Sequence, residues 1–224
     1  PDMLAKAERA VTAGGDALTG FKTEYMCIRV QILNPAIDPG AWQRCRDAGD
    51  LDDARSRVAV CLDVAPDELH ATLYAAAQLD DGRTRVDFAA AWDGEQCTNR
   101  LRAELPEMLG KIRPRVLGWL PNGPAAALAV DFNELAGVTV EPIKTELAAV
   151  CMGFNEQVTA RQVAHSDDPL LNAHVDGAER LKRGDTWVFS RRGAGHVDAL
   201  YAAAGAVHLA RTLPAPPPRP RIIV

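Results

Sequence analysis

Two aspartates near opposite ends of the sequence are the side chains best placed to do chemistry. The first, Asp63, ends a short continuous apolar run over residues 57–63, which predicts a strand covered on both faces. Burying its carboxylate costs several kcal/mol unless a cation or hydrogen-bond donors satisfy it. An alternative is that Asp63 simply begins the next turn, because the following residues up to Asp67 have a turn-forming composition. Its position alone leaves both interpretations open.

The second aspartate, Asp198, opens a predicted helix with almost no side-chain bulk. Its small residues are Ala199, Ala202, Ala203, Ala204, Gly205 and Ala206. A helix of this kind can lie close to a sheet, which would bring an aspartate of its first turn near the strand ends. The helix dipole alone also favours an aspartate here. His196, two residues earlier, is either a group that assists proton transfer or contacts phosphate, or an ordinary loop histidine.

A basic cluster leads into this helix. It consists of Arg180, Lys182, Arg183, Arg191 and Arg192. A solvated charged surface is the default interpretation of such a cluster. Next to a metal site, however, these side chains can hold a phosphate backbone. We therefore predict Lys182, Arg183, Arg191 and Arg192 as DNA-binding residues.

Composition narrows the classes of protein to consider. The net charge of −5 argues against a surface that binds nucleic acid all over, but it permits one basic face. Five scattered cysteines without a CxxC pair favour reduced thiols in a cytoplasm over a disulfide framework or a zinc site. The histidines at 165, 174, 196 and 208 are too widely spaced for a recognised zinc pattern. No apolar run is long enough to span a bilayer.

One segment resembles a phosphate-binding loop without completing the pattern. It covers residues 15–23, but Phe21 separates Gly20 from Lys22, and no buried strand precedes it. We therefore predict that the chain neither binds nor hydrolyses ATP.

Hydrophobic periodicity predicts the elements that position the two aspartates. Strands are predicted at 57–63, 69–79, 84–92, 115–120, 138–143 and 185–190. Helices are predicted at 95–112, 124–135, 145–160, 170–181 and 197–211. A tight turn at Asp80-Asp81-Gly82-Arg83 joins the second and third strands into a hairpin. We expect residues 1–54 to form a helical connector, 55–212 the domain, and 213–224 a proline-rich tail.

The resulting order βββαβαβα describes an α/β fold of the RNase H-like (retroviral-integrase-like) class, a mixed sheet flanked by helices. A doubly wound dinucleotide-binding domain would need a helix after its first strand, and none fits between Asp63 and Trp92. An RNase H-like site takes one aspartate from the end of the first strand and one acid from the last helix. Together they hold two divalent metals about 3.5–4 Å apart, which activate a water and stabilise the leaving oxygen. Asp63 and Asp198 fill both positions.

The sequence also resembles the large terminase subunits of tailed bacteriophages, particularly those with actinobacterial hosts, from Thr23 to Leu213. The resemblance rests on Leu62-Asp-Val-Ala-Pro-Asp67, Gly118-Trp-Leu-Pro-Asn-Gly-Pro-Ala125, Cys151-Met-Gly-Phe154, His165-Ser-Asp-Asp-Pro-Leu-Leu171, Gly184-Asp-Thr-Trp-Val-Phe189 and the segment through Asp198. It implies a C-terminal nuclease domain that uses Mg²⁺ or Mn²⁺ to cut concatemeric double-stranded DNA in the host cytoplasm. It also implies an upstream ATPase domain, a small terminase subunit and a portal protein as partners, and no membrane.

One position departs from the family. Large terminases usually have another acid at the end of the fourth strand, where this chain has Leu120 and Asn122. The middle metal ligand is then Asp67, an acid supplied from elsewhere such as Glu146, or absent. We predict Asp63 and Asp198 as catalytic metal ligands and Asp67 as a supplementary one. Two functions follow: an endonuclease of low sequence specificity, or a catalytically weak module that docks DNA or the portal.

Overall fold

Six strands form one mixed sheet in the computed structural model, which describes residues 35–121, 123–132, 137–192 and 195–214. The strands are β1 Ala59–Val64, β2 His70–Gln78, β3 Thr84–Asp93, β4 Val116–Trp119, β5 Thr139–Pro142 and β6 Val163–His165. Their order across the sheet is β5-β4-β1-β2-β3-β6. Strand β1 pairs antiparallel with β2 and parallel with β4. The predicted mixed sheet is confirmed, and β1 lies in its interior between β4 and β2.

Helices cover this sheet, and a separate hairpin precedes the last of them. The helices are α1 Pro39–Gln43, α2 Cys97–Ile112, α3 Pro124–Leu128, α4 Leu147–Thr159, α5 Pro169–Asp176 and α6 Asp198–Thr212. The hairpin is formed by β7 Arg180–Arg183 and β8 Thr186–Phe189. Within the described ranges, no helix has the length and apolar character needed to cross a membrane.

The two faces of the sheet have separate cores. All six residues of β1 are buried, as its continuous apolar run predicts, and they alternate between the faces. Cys61 belongs to the core under α6, whereas Leu62 belongs to the core under α2. Helix α6 lies very close to the sheet, since a β-carbon at Gly205 would overlap Cys61 Sγ. The small residues of α6 are therefore what allows its first turn to approach the strand ends.

The predicted helix over 170–181 is wrong in its second half. Helix α5 ends at Asp176, with Gly177 as its C-cap. Residues 180–183 instead form β7, which turns into β8 through Gly184 at a φ of 62°. Backbone pairing across this tight hairpin outweighs the weak helical pattern of the segment. Strand β6 was not predicted, because three residues are too few to produce a periodic signal.

Two other predicted helices begin or end differently. Helix α3 stops at Leu128 and continues as a single 3-10 turn over Ala129–Phe132, and residues 133–136 lie outside the described part. Helix α4 begins at Leu147 with Glu146 as N-cap. Thr145, the expected cap, instead places its hydroxyl 2.9 Å from His208 Nε2.

The described part of the predicted connector packs onto the domain. Trp42 of α1 is buried, and its ring stacks on His165 at 3.8 Å. Its indole N–H donates to Asn172 Oδ1 at 2.7 Å. Residues 1–34, the proline-rich stretch 215–224 and Asn122 lie outside the described residues, so the phosphate-loop-like segment and most of the expected tail are not placed.

Candidate active site

The two sequence-predicted aspartates lie on the same side of the sheet. Asp63 is the fifth residue of β1, and its side chain follows the alternation that directs Cys61 toward α6. Asp198 is the first residue of α6. Both are buried, with exposed fractions of 0% and 1%. Asp63 is therefore part of the strand itself, and not of the turn that follows it.

The carboxylate of Asp63 is held by one arginine. Arg191 Nη2 lies 2.7 Å from Asp63 Oδ1 and 2.8 Å from Oδ2. The Arg191 guanidinium carbon sits 4.1 Å from the centre of the Tyr201 ring, which fixes its position. Burial raises the pKa of Asp63 to about 7, Arg191 partly offsets this rise, and the Asp198 carboxylate adds to it. The two carboxylates are thus close enough to interact electrostatically.

Asp198 has an oxygen that nothing described satisfies. Within the described residues, no donor lies within hydrogen-bond distance of its buried Oδ1. The Nδ1 atom of His174 is 3.8 Å away and already accepts the Ala199 N–H at 3.0 Å. Burial lowers the pKa of His174, and because Nδ1 accepts the Ala199 N–H it has no proton to donate to Asp198. A buried carboxylate oxygen without a donor is a group that a cation can satisfy, so these residues fit a divalent metal ion.

The end of β4, where the sequence lacks an expected acid, is apolar. Trp119 pairs with Leu62, so Leu120 follows β4 beside Asp63. Leu120 is buried in the core that α6 covers. Gly123, which caps α3, is also adjacent, because a β-carbon there would lie 3.7 Å from Asp63 Oδ1. Glu146 is exposed at the start of α4.

Asp67, predicted from the sequence as a supplementary ligand, lies in an exposed turn after β1. Its Oδ1 accepts the backbone N–H of Leu69 at 2.9 Å. Ligand atoms of Asp67, His70 and His196 all lie within 4.8 Å of one another. The structure therefore groups Asp67 with two histidines.

The four predicted DNA-binding residues separate into two environments. Lys182 and Arg183 are exposed on β7, and Arg192 is exposed in the loop after β8. Arg191 points inward to Asp63, with 19% of its side chain exposed. The basic cluster is therefore partly a solvated surface and partly a component of the carboxylate site.

Three residues at or near this site were not predicted from the sequence. His174 and Gly123 reach Asp198 and Asp63 only through tertiary packing, and no spacing in the sequence indicates either contact. His70 pairs with Asp93 across the β2-β3 hairpin. The predicted turn of this hairpin therefore indicated roughly which residues face each other. A β-bulge between Leu73 and Tyr74 shifts the register, and counting from the turn alone would have paired His70 with Trp92.

Comparison with known proteins identifies the fold. No family model and no curated protein sequence matches the chain. Solved structures do match. The large terminase of bacteriophage HK97 aligns with a TM-score of 0.59 and 15% identity, over 92% of this chain and 50% of that one. The large terminase nuclease of thermophilic phage G20c, with bound magnesium, aligns with a TM-score of 0.54 and 13% identity, over 79% and 98%.

A third match is a mutant nuclease domain of the large terminase subunit of bacterial virus Sf6, with manganese. It aligns with a TM-score of 0.55 and 8% identity, over 78% of this chain and 99% of that one. The chain has the fold of a phage large-terminase nuclease domain. The predicted RNase H-like fold and the resemblance to large terminases are thereby confirmed at the level of the fold. The chain spans half the length of the HK97 large terminase.

Proposed function

We propose that this chain is a divalent-metal-dependent endonuclease that cuts concatemeric double-stranded DNA in the host cytoplasm during viral genome packaging, with low sequence specificity. The observation that carries the proposal is the pair of buried carboxylates, Asp63 and Asp198, on one side of a terminase-nuclease fold. The Asp198 oxygen without a donor supports a cation as the missing partner. Mg²⁺ and Mn²⁺ suit such oxygen ligands.

In this proposal Asp63 and Asp198 hold the metal ions. The ions supply an activated water and stabilise the leaving oxygen of the phosphodiester. Arg191 balances the charge of Asp63 when no metal is bound, and its position over Tyr201 keeps a cation beside the carboxylates. Beside a metal held by the two aspartates, the Arg191 guanidinium would be placed to bind a DNA phosphate, for which its planar fork is well suited.

DNA binding outside the carboxylate pair is assigned to Lys182, Arg183 and Arg192. All three are exposed, Lys182 and Arg183 on β7 and Arg192 in the loop that leads from β8 to α6. Contacts of this kind hold phosphates without reading sequence, which agrees with low specificity. We expect binding to weaken as salt rises, because each phosphate contact releases counterions.

The partners proposed for the chain are those of a packaging motor. They are double-stranded DNA, a terminase ATPase domain, a small terminase subunit and the portal protein. The support for them is the likeness to large terminases, of which this chain spans a part.

Plasmid cleavage tests the proposal. With Mn²⁺ the protein should nick or linearise supercoiled plasmid, and Asp63→Asn or Asp198→Asn should abolish cleavage, because asparagine keeps the shape and removes the charge that offsets the metal. Asp53→Asn, in an exposed segment, is the matched control and should cut like the parent. If both active-site variants cut as fast as the parent, the activity belongs elsewhere.

A second candidate function is suggested by Leu120. This alternative is a catalytically weak module that docks DNA or the portal, and its motive is the buried, apolar Leu120 where the family has an acid. Mg²⁺ demands near-ideal oxygen geometry, so we expect stronger cleavage with Mn²⁺ than with Mg²⁺. DNA binding without cleavage in either metal would favour the docking function.

A further inference from the structure

Next to the buried carboxylates, an exposed cluster offers a second and chemically different set of ligands. This histidine cluster consists of Asp67, His70 and His196. One ligand atom of each lies within 4.8 Å of the other two. If Asp63 and Asp198 are the only metal ligands of the proposed nuclease, its hydrolysis uses none of these three side chains as a ligand.

The structure orients His70 as metal-binding histidines are commonly oriented. Its Nδ1 lies 2.8 Å from Asp93 Oδ1, and the β2-β3 register places these two residues opposite each other. A carboxylate that accepts the Nδ1 proton fixes the tautomer and directs the Nε2 lone pair outward. That Nε2 lies 3.8 Å from Asp67 Oδ2. His70 therefore already has a carboxylate partner of the kind that orients metal-binding histidines.

Asp67 is fixed in a complementary way. Its Oδ1 accepts the Leu69 N–H at 2.9 Å, which leaves Oδ2 directed toward His70. The turn that carries it is closed by the Ala65 N–H, which donates to the His70 carbonyl at 2.8 Å. Asp67 and His70 therefore belong to one hydrogen-bonded turn between β1 and β2. Their side chains need little further ordering when a metal ion binds.

The third ligand arrives from the other end of the chain. His196 lies two residues before α6, and the centre of its ring is 4.1 Å from that of His70 at an angle of 50°. The rings are tilted, so their edges can converge on one point. A four-coordinate ion with bonds of about 2.0–2.1 Å would draw its ligand atoms to about 3.3 Å apart, which small side-chain rotations accomplish from the observed arrangement.

We propose that Asp67, His70 and His196 bind a divalent transition-metal ion of the Zn²⁺ or Co²⁺ type. Two imidazoles and one carboxylate suit such an ion, whereas Mg²⁺ prefers an all-oxygen shell. Three protein ligands leave a coordination position open to water or to a phosphate oxygen. Neither Asp63 nor Asp198 belongs to this site and its metal preference differs, so it can be tested apart from the proposed nuclease function. Asp67, the predicted supplementary ligand of the nuclease metals, is the residue that the two sites would share.

The test is Zn²⁺ binding to the full chain in excess Mg²⁺, which occupies oxygen sites. Calorimetry should give one equivalent of tight Zn²⁺, and Co²⁺ should produce the visible absorption of a low-coordinate site. His70→Gln and His196→Gln should each weaken Zn²⁺ binding by more than tenfold. Asp93→Asn should weaken it by roughly tenfold, as loss of a second-shell carboxylate does. Circular dichroism should be unchanged in every variant.

Two controls separate this site from the rest of the molecule. His208→Gln removes a histidine about 15 Å along α6 from Asp198 and should bind Zn²⁺ like the parent. The double variant Asp63→Asn with Asp198→Asn should also keep the site, even though cleavage is lost. The proposal is overturned if both histidine variants bind Zn²⁺ like the parent, or if only the double variant loses it. In those cases His70 is an ion-pairing residue for Asp67 and Asp93.

Discussion

The buried carboxylate pair and the exposed histidine cluster are neighbours in the fold but differ in what they require. Asp63 and Asp198 are removed from water, so their charge must be balanced inside the protein. Arg191 does this for Asp63, while one oxygen of Asp198 has no donor within the described residues. Asp67 and His196 are exposed, and water can solvate them when no ion is bound.

This difference separates two ways of building a metal site. In the buried pair, the unbalanced charge favours binding of a cation. Without one, the buried charge lowers the free energy of unfolding. In the histidine cluster, hydrogen bonds to Leu69 and Asp93 orient ligands at little cost. Mutations should therefore affect stability strongly at the first site and weakly at the second.

The largest expected effect is at Arg191. Burial raises the pKa of Asp63 to about 7 against the opposing effect of Arg191. Arg191→Gln removes that opposing effect, so at pH 8 the buried carboxyl must either take up a proton or stay charged without a partner, and the free energy of unfolding should fall by roughly 3 kcal/mol. Mn²⁺ should restore part of this loss by replacing the guanidinium. Urea denaturation with and without Mn²⁺ measures both effects. Arg183→Gln, on exposed β7, is the control and should stay within about 0.5 kcal/mol of the parent.

The next effect concerns the close approach of α6 to β1. Gly205→Ala places a methyl group against Cys61 and should cost about 2 kcal/mol through overpacking. Gly153→Ala on α4 meets no atom within 4 Å and should stabilise the protein by up to about 1 kcal/mol. Thermal denaturation compares the two. Equal changes in both variants would mean that small residues on α6 do not control the site.

A smaller effect is expected from restoring the third acid. Leu120→Asp and Gly123→Asp each place a carboxylate beside Asp63, and Gly123 has the additional advantage that aspartate is a good N-cap for α3. Each should raise Mg²⁺-supported plasmid cleavage by roughly tenfold, equivalent to about 1.4 kcal/mol. Leu120→Asn and Gly123→Asn are the uncharged controls. No gain in either aspartate variant would contradict a missing ligand at this edge.

The smallest effect should be at the exposed cluster. Asp67→Asn and His196→Gln should change the free energy of unfolding by less than about 0.5 kcal/mol in the absence of metal, because their side chains are already solvated. Chemical denaturation in a chelator measures this. A loss as large as that of Arg191→Gln would show that the exposed cluster contributes to stability as strongly as the buried pair.

Much of the fold was predictable because the signals are local. The continuous apolar run of β1, the Asp80–Arg83 turn and the small residues of α6 each act through their own segment, and their order was enough for the RNase H-like layout. Asp63 and Asp198 were predicted as metal ligands for the same reason, since each lies at the end or start of an element that the sequence predicts. Short elements such as β6 were missed, because pairing with β3 stabilises them and their own sequence does not.

By itself, the sequence determined which two acids the fold brings to one side of the sheet, because strand order and helix bulk are encoded along the chain. The tertiary structure alone decided what surrounds them. It places Arg191, expected at the surface, against Asp63, and it leaves an Asp198 oxygen without a donor among the described residues. It also brings His196 close to Asp67 and His70. These contacts join residues more than 100 positions apart, and their geometry depends on packing and on a single β-bulge, which no local pattern records.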